Sequence, residues 1–296
     1  MDASNPFDLR CLLDNVQGMV DALTCLRWKK QQDSIVELSD HGLVITVEER
    51  GCLQARVYFR KELFREYAYQ AEVRPKFGIS LGLLIDSLNT FTSSTRAAAL
   101  ELSYPGPDMQ MIFKLVDAND SCIYAEMRTR IPDQIPHDYV IEDDGGTPIS
   151  FAVKSAALKE ALDDLEWPGS SIEITVSPVP PRVTFRGDGH GDLQIEFPYD
   201  RQRDLFIAFN CQREISYRYK YKFLKATTSQ IPVSILKDNR GSKLTFGTNG
   251  LLKVQHLISV KPSPTPHQHY YDPSQAQARV SYIEFYVLPD VDSDDP

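Results

Sequence analysis

Two spacings of apolar residues alternate along the first half of the chain. Residues 15–26 place apolar side chains three and four positions apart, which predicts a helix with one buried face. After Trp28 apolar and polar positions alternate, which predicts strands. Helical spacing returns at residues 81–91, with Ser80 in the capping position. An opening strand precedes the first helix, and the further predicted strands of this half lie at residues 34–38, 43–47, 53–59, 98–103, 109–116 and 122–127.

The second half of the chain repeats this order of elements. A strand is predicted at residues 149–153, a helix at 155–165 and a short helix at 223–229. The remaining predicted strands lie at residues 171–176, 182–185, 193–197, 214–221, 233–236, 243–246, 252–258 and 280–288.

Corresponding features of the two halves lie at a nearly constant offset. Trp28 ends the first predicted helix and Trp167 ends the third, 139 residues later. Similar offsets relate the strands that begin at Ser34 and Ser171, and at Leu53 and Leu193. The pattern therefore predicts a tandem duplication of one α+β module. The alternative is a pair of unrelated α+β domains that share this order by chance.

The length of 296 residues fits two domains of roughly 130 to 150 residues each. Residues 128–139 contain two prolines and no sustained period, so they predict a connector between domains at 1–127 and 140–296. A Pro- and His-rich stretch near 261–279 is typical of a solvated insertion, and residues 291–295 of an acidic tail.

The net charge of -9 argues against a surface that binds nucleic acid all over. Any DNA contact must therefore come from a few lysine and arginine side chains gathered on one face. No apolar run is long enough to cross a membrane, and the N-terminus lacks the pattern of a signal peptide, so we expect an intracellular protein. Its five separated cysteines predict reduced thiols, without a disulfide framework or a zinc site.

Short collinear segments resemble one known family. They lie at residues 14–16, 42–48, 52–55, 208–211, 219–220 and 238–241, and the end of the chain at 283–290 is similar to that of eukaryotic clamp subunits. Together they resemble the radiation-sensitivity-one subunit of the heterotrimeric nine-one-one DNA-damage checkpoint clamp. The sequence departs from this family near 261–279.

This resemblance implies two tandem sliding-clamp domains, with antiparallel sheets outside and short helices lining the inside of a ring. The implied partners are two paralogous subunits, of the radiation-sensitivity-nine and hydroxyurea-sensitivity-one types, a checkpoint clamp loader, and double-stranded DNA. The implied role is non-enzymatic, in checkpoint signalling and as a platform for repair factors in the nucleus, with no cofactor and no membrane.

A ring needs sequence-independent attraction to phosphates from Lys and Arg near its helices. The alternative for each lysine is a solvated surface charge, and Asp21, Asp86 and Asp163 weaken the field. The candidate DNA-facing residues are Arg27, Lys29, Lys30, Lys154, Lys159, Lys220, Lys222 and Lys225.

The run from Tyr217 to Lys222 alternates aromatic and basic residues. It fits either a stacking platform for single strands or, more simply, a strand that packs its rings on one face. In the connector, Ile131, Ile135 and Tyr139 are candidates for a groove that binds peptide motifs, with a passive linker as the alternative. The strand at 109–116 and the strands around 182–185 are the candidate edges for pairing between subunits.

The main alternative function is a metal-dependent 3′ to 5′ DNA exonuclease, and the third is a single-strand DNA-binding module. Two-metal chemistry needs clustered carboxylates. Asp164 and Glu166 have a suitable spacing but lie at a helix end without a partner motif, and His267 and His269 lie in the Pro-rich stretch. We therefore expect neither catalytic residues nor a metal site.

Overall fold

The structure is a computed structural model. It describes residues 7–14, 16–92, 99–116, 122–142, 145–167, 170–232, 236, 241–260 and 279–290. The chain forms two compact units. The first comprises Met1–Val47, Arg56–Pro136 and Ile258–Tyr282, and the second comprises Glu48–Ala55, His137–Leu257 and Ile283–Pro296. The domain boundaries at 127 and 140 stay a prediction.

The first half of the chain contains nine strands, two α-helices and a short 3-10 helix at Lys61–Leu63 among its described residues. Helix α1 buries Met19 and Leu23, and helix α2 buries Leu84 and Leu88, as their apolar spacing predicts. The elements are β1 (Leu9–Leu13), α1 (Val16–Cys25), β2 (Asp33–Ser39), β3 (Gly42–Glu49), β4 (Leu53–Arg60), β5 (Glu66–Tyr69), β6 (Lys76–Ser80), α2 (Leu81–Thr92), β7 (Leu100–Tyr104), β8 (Met111–Val116) and β9 (Cys122–Met127).

The described residues of the second half also contain nine strands and two helices. They are β10 (Ile149–Lys154), α3 (Ser155–Asp164), β11 (Ser171–Pro178), β12 (Pro181–Asp188), β13 (Leu193–Pro198), β14 (Phe206–Asn210), β15 (Ile215–Lys220), α4 (Tyr221–Thr228), β16 (Gly241–Phe246), β17 (Leu252–Val260) and β18 (Arg279–Val287).

Each half builds the same two strand arrays. In the first half the orders are β5-β1-β7-β8-β9 and β4-β3-β2-β6. In the second half they are β14-β10-β16-β17-β18 and β13-β12-β11-β15. Neighbouring strands with a resolved register are antiparallel. The predicted α+β fold is confirmed.

The duplication extends to individual hydrogen bonds. Asp33 of β2 lies opposite Ser80 of β6, and Ser171 of β11 lies opposite Lys220 of β15. The helix that follows each pair begins in the same way: Leu81 N–H donates to Gln32 O at 2.9 Å, and Tyr221 N–H donates to Ser170 O at 2.9 Å. The two halves are therefore copies of one module with a shared strand register.

The tight turn between β2 and β3 requires a glycine at position 42. Gly42 begins β3 with φ of 140°, and a Cβ atom built there would lie 2.1 Å from Phe59 O. A side chain at this position would collide with the backbone of β4, so the hairpin between β2 and β3 needs glycine.

Four expectations about strands were incomplete or wrong. Sequence spacing missed β5, β6 and β14. Of the strand predicted at 233–236, only Leu236 is described, and its N–H donates to Pro232 O at 3.3 Å, which is a helical contact. The prediction for 261–279 falls outside the described residues except at Arg279, where β18 begins, and the acidic tail at 291–296 also falls outside them.

The predicted edge strands were also wrong. The strand at 109–116 became β8, which has β7 and β9 as neighbours, and 182–185 lies within β12, between β11 and β13. Main-chain groups on both sides of these strands are already used for pairing. The strands beyond them, β9 and β13, end their sheets, whereas their counterparts β18 and β4 have a neighbour on both sides. The other end strands, β5, β6, β14 and β15, are end strands in both copies.

Candidate nucleic-acid interface

The basic residues that are predicted to face DNA in the first unit lie just after α1. Atoms of this segment approach the first turn of α2: Lys30 O and the Arg27 guanidinium lie 3.6 and 3.9 Å from where a Cβ on Gly82 would be. Arg27 is half-buried, whereas Lys29 and Lys30 are exposed. These three residues therefore form a small basic group where the two helices meet.

The helices α1 and α2 carry no basic residue. The solvent-facing positions of α1 include Gln17 and Asp21, which are hydrogen-bonded to each other at 2.7 Å. On α2 the exposed residues include Leu83 and Asp86. This helix pair therefore presents a neutral to acidic face, and the candidate DNA-facing residues of the first unit are those at 27, 29 and 30, just after α1.

In the second unit, one carboxylate connects two of the predicted lysines. Lys159 Nζ on α3 donates to Asp163 Oδ2 at 2.7 Å, and Lys225 Nζ on α4 donates to Asp163 Oδ1. Lys225 also lies 3.8 Å from Glu166. Burial by itself raises the pKa of Asp163, but the hydrogen bonds from the two lysines outweigh it and lower the pKa below its ordinary value.

Two further predicted lysines are ion-paired at helix starts. Lys154, before α3, donates to Asp204 at 2.5 Å, and Lys220, before α4, lies 3.4 Å from Asp290. Lys222 is exposed, with its ammonium 4.7 Å from the centre of the Phe223 ring. Of the eight candidate residues, Arg27, Lys30 and Lys222 make no ion pair within the described part of the chain. They are therefore the candidates most available to phosphate.

The tyrosines of β15 pack into the second unit rather than forming a platform. Tyr219 is fully buried and donates its hydroxyl to Gly250 O at 2.7 Å. Tyr217 donates to Thr248 O at 3.1 Å. Between them, Arg218 points away and pairs with Asp188 at 2.6 Å. The alternation therefore reflects the two faces of a strand, as the simpler interpretation held.

The connector residues have different environments. Ile131 and Ile135 are 88% and 83% exposed. Tyr139 is half-buried, donates to Gly51 O at 2.9 Å, and its ring lies 5.6 Å from His137 and 5.8 Å from Tyr286. The two isoleucines thus remain available as contacts, whereas Tyr139 is already packed.

Sequence reasoning missed the polar contacts that hold the connector. Glu48 accepts from the His137 backbone N–H at 3.0 Å, and Gln54 donates both to Glu48 and to His137 O at 2.9 Å. Arg130 exchanges two backbone hydrogen bonds with Gly78, at 2.7 and 3.0 Å. His137 and Arg130 lie more than 50 residues from these partners in the sequence, so no local motif points to the contacts.

The described residues do not gather a catalytic cluster. Within them no group of three or more His, Cys, Asp or Glu side chains is placed to hold a metal ion, and His267 and His269 lie outside them. A Ser–His arrangement does exist, because Ser242 Oγ lies 2.8 Å from both Ser155 Oγ and His256 Nδ1. These three side chains are fully buried, so no substrate reaches them.

The duplication provides an internal standard for the open edges. On β4, Leu53 and Ala55 are fully buried, and Leu288 N–H donates to Cys52 O at 3.0 Å, so this edge is covered. The corresponding Leu193 and Ile195 of β13 are only half-buried. In the same way, Ile283 and Phe285 of β18 are fully buried, whereas on β9, its counterpart in the strand order, Ile123 and Tyr124 are 39% and 52% exposed. Both β9 and β13 therefore lack a covering strand.

Two modules in one chain, each with a helix pair and two antiparallel arrays, define the sliding-clamp class. The PCNA of Thermococcus kodakaraensis matches with a TM-score of 0.69 at 13% identity, over 95% of this chain and 100% of that one. A chain of the PCNA2–PCNA3 complex of Sulfolobus tokodaii matches with a TM-score of 0.67 at 14% identity, over 95% and 98%.

The particular family follows from the sequence as a whole. The model of the repair proteins Rad1/Rec1/Rad17 matches residues 9–258, and the chain belongs to this family. The cell cycle checkpoint protein RAD1 of Mus musculus is 26% identical over 288 residues, which cover 94% of this chain and 91% of the mouse protein. The resemblance seen in short segments is thereby confirmed over nearly the whole length.

In the described part of the chain, no helix is both long enough and apolar enough to cross a membrane.

Proposed function

We propose that this protein is a non-enzymatic subunit of a heterotrimeric ring that encircles double-stranded DNA at damage sites. Its role there is DNA-damage checkpoint signalling, with the ring also serving as a platform for repair factors. The proposal is supported by membership of the Rad1 family, by the clamp fold, and by a mouse relative named as a cell cycle checkpoint protein.

The main observation behind this proposal is that the strands β9 and β13 lack a covering strand. The positions of β9 and β13 that are exposed have counterparts in β18 and β4 that are buried, although all four strands belong to one repeated module. An unpaired strand edge offers main-chain donors and acceptors to another chain. β9 and β13 are the two end strands whose counterparts are covered, so they offer one edge to each of two neighbours, as a closed ring requires.

The two neighbours are paralogous clamp subunits, of the radiation-sensitivity-nine and hydroxyurea-sensitivity-one types. A checkpoint clamp loader opens the ring and places it on DNA in the nucleus. These identities rest on the family resemblance.

Contact with DNA comes from the basic side chains near the helix pairs. Arg27 and Lys30 in the first unit, and Lys222 in the second, serve as weak phosphate contacts, with Lys29 beside them. Lys154, Lys159, Lys220 and Lys225 contribute less because each is engaged by a carboxylate. Phosphate contacts of this kind hold DNA without reading its sequence.

The connector supplies a docking segment for short peptide motifs. Ile131 and Ile135 are largely exposed, while Arg130 and Tyr139 fix the segment on either side of them. An exposed apolar pair on an anchored backbone is suited to partner contact.

The assembly test replaces one residue on each open edge. Ile123→Lys on β9 and Ile195→Lys on β13 each place a charge where a neighbouring strand would pack, so each should abolish the 1:1:1 complex with the two paralogues. Native mass spectrometry of the mixed subunits measures this. Val179→Lys is the control, because Val179 is 85% exposed in the turn between β11 and β12. Assembly of both edge variants at the level of the control would contradict the proposed interfaces.

A further inference from the structure

Asp163 occupies a position that the stability of its own helix does not explain. It lies in the last turn of α3, where the helix dipole makes a negative charge unfavourable. Its two oxygens are nevertheless both used, one by Lys159 of the same helix and one by Lys225 of α4. A carboxylate placed against the dipole but shared by two lysines points to a role in controlling those lysines.

The two lysines are more enclosed than the carboxylate that holds them. The side chains of Lys159 and Lys225 are each 26% exposed, whereas that of Asp163 is 40% exposed. Burial lowers the pKa of Lys225, but its hydrogen bond to Asp163 outweighs this and raises the pKa above its ordinary value. Both partners stay charged at neutral pH. With Glu166 at 3.8 Å from Lys225, the cluster has no net charge.

The rest of the helix surface does not compensate for this neutralisation. Apart from the cluster, the charged residues on the solvent-facing sides of α1 to α4 are mainly acidic. Among the described residues of these four helices, Lys222 is the basic residue without an ion pair. The acidic residues are Asp21, Asp86, Glu160 and Asp164.

We propose that Asp163 acts as an electrostatic clasp, holding Lys159 and Lys225 so that the α3–α4 face attracts DNA phosphates only weakly. This inference rests on the proposed ring function. A ring that retains DNA by encircling it does not need strong attraction, and a weak lining leaves it free to move along the duplex. Asp163 is a positioning residue, since it acts on DNA through the two lysines.

The test is Asp163→Asn in the full chain. A partly exposed ion pair contributes little to folding, and removing the charge relieves the unfavourable dipole interaction, so the variant should fold. Released lysines should give two more phosphate contacts. Affinity for a short DNA duplex should then rise roughly tenfold near 0.1 M salt, and the slope of log K against log salt should steepen by about 1.8. Fluorescence anisotropy over a salt series measures both quantities.

Two matched variants separate release of the lysines from a change of net charge. Asp188→Asn removes a carboxylate paired with Arg218 on β15, so it changes the charge equally but away from the helices, and should leave the affinity unchanged. The triple variant D163N/K159Q/K225Q should bind no more tightly than the wild type.

Three outcomes overturn the clasp. These are a D163N variant whose affinity and salt slope equal those of the wild type, a D163N variant that does not bind even at low salt, and an equal gain in D188N. None of them affects the ring itself, which depends on assembly through β9 and β13 and is measured separately by the 1:1:1 complex.

Discussion

At the scale of single residues, His256 shows how the second unit is held together. Its imidazole is fully buried, with Nδ1 2.8 Å from Ser242 Oγ and Nε2 2.7 Å from Thr227 O. Burial lowers the pKa of His256 to about 4. The ring is therefore neutral at physiological pH, with its Nε2–H donating to Thr227 O at the end of α4 and Nδ1 accepting from the Ser242 hydroxyl.

This burial predicts a pH-dependent stability. The unfolded histidine titrates near 6.5, so its contribution is fully present above that pH and is lost as the pH falls towards 4. Between pH 7 and pH 5 the free energy of unfolding should drop by about 2 kcal/mol from this residue. Urea denaturation at the two pH values measures the difference.

The control for this prediction is His256→Gln, which keeps a hydrogen-bonding side chain but cannot titrate. It should be less stable than the wild type at pH 7 and should lose less stability on going to pH 5. An identical pH dependence in the two proteins would assign the effect to other groups.

At the residue level, the sequence alone suggested candidate DNA-facing residues, whose role stays a prediction, but it did not reveal their ion-pair partners. The eight DNA-facing candidates could be named from their positions beside helices. That Lys225 is held by Asp163 could not, because the two residues are 62 positions apart. Ion pairing between helices depends on their packing, which local sequence does not encode.

At the scale of elements, spacing predicted those segments that bury one face. The four helices and the alternating strands such as β2 and β11 were found because each has a single apolar side. The edge strands β5 and β14 have no fully buried residue and so carry no alternating signal. Strand β6 buries three consecutive residues, which again breaks the alternation.

The open edges were misplaced for a related reason. Strand β13 reads as an ordinary alternating strand, and its exposure becomes visible only by comparison with β4, its counterpart in the other copy. The neighbour of a strand is a property of topology rather than of its own sequence.

The connector gives a prediction at this scale. Replacing Ile131 and Ile135 with serine should leave the melting temperature unchanged, because both side chains are largely exposed. If the connector is a docking segment, the same double variant should weaken binding of repair-factor peptides by roughly tenfold or more, as expected for loss of apolar anchors.

Calorimetric unfolding checks the first part of this prediction, and isothermal titration with peptides from clamp-binding repair factors checks the second. Tyr139→Phe is the comparison variant, because it removes the bond to Gly51 O without changing the exposed isoleucines. Peptide affinity unaffected by the loss of both isoleucines would leave the connector as a passive linker.

At the scale of the whole molecule, charge and topology lead to one account of DNA binding. A chain with a net charge of -9, acidic helix faces and several neutralised lysines is a poor DNA-binding surface. The duplicated module with an uncovered strand at β9 and another at β13 is suited to building a ring. Retention on DNA must then come mainly from encirclement, with electrostatics as a minor contribution.

The most direct test of this account compares circular and linear DNA. The proposed complex of this protein with two paralogous subunits is placed by the proposed clamp loader on nicked circular DNA. The DNA is washed with high salt and then treated with a restriction enzyme that cuts the circle once. An encircling ring should survive the salt wash and be released when the DNA is cut. Loss of the complex in the salt wash, or equal retention before and after cutting, would contradict the claim that this protein helps to close a ring around DNA.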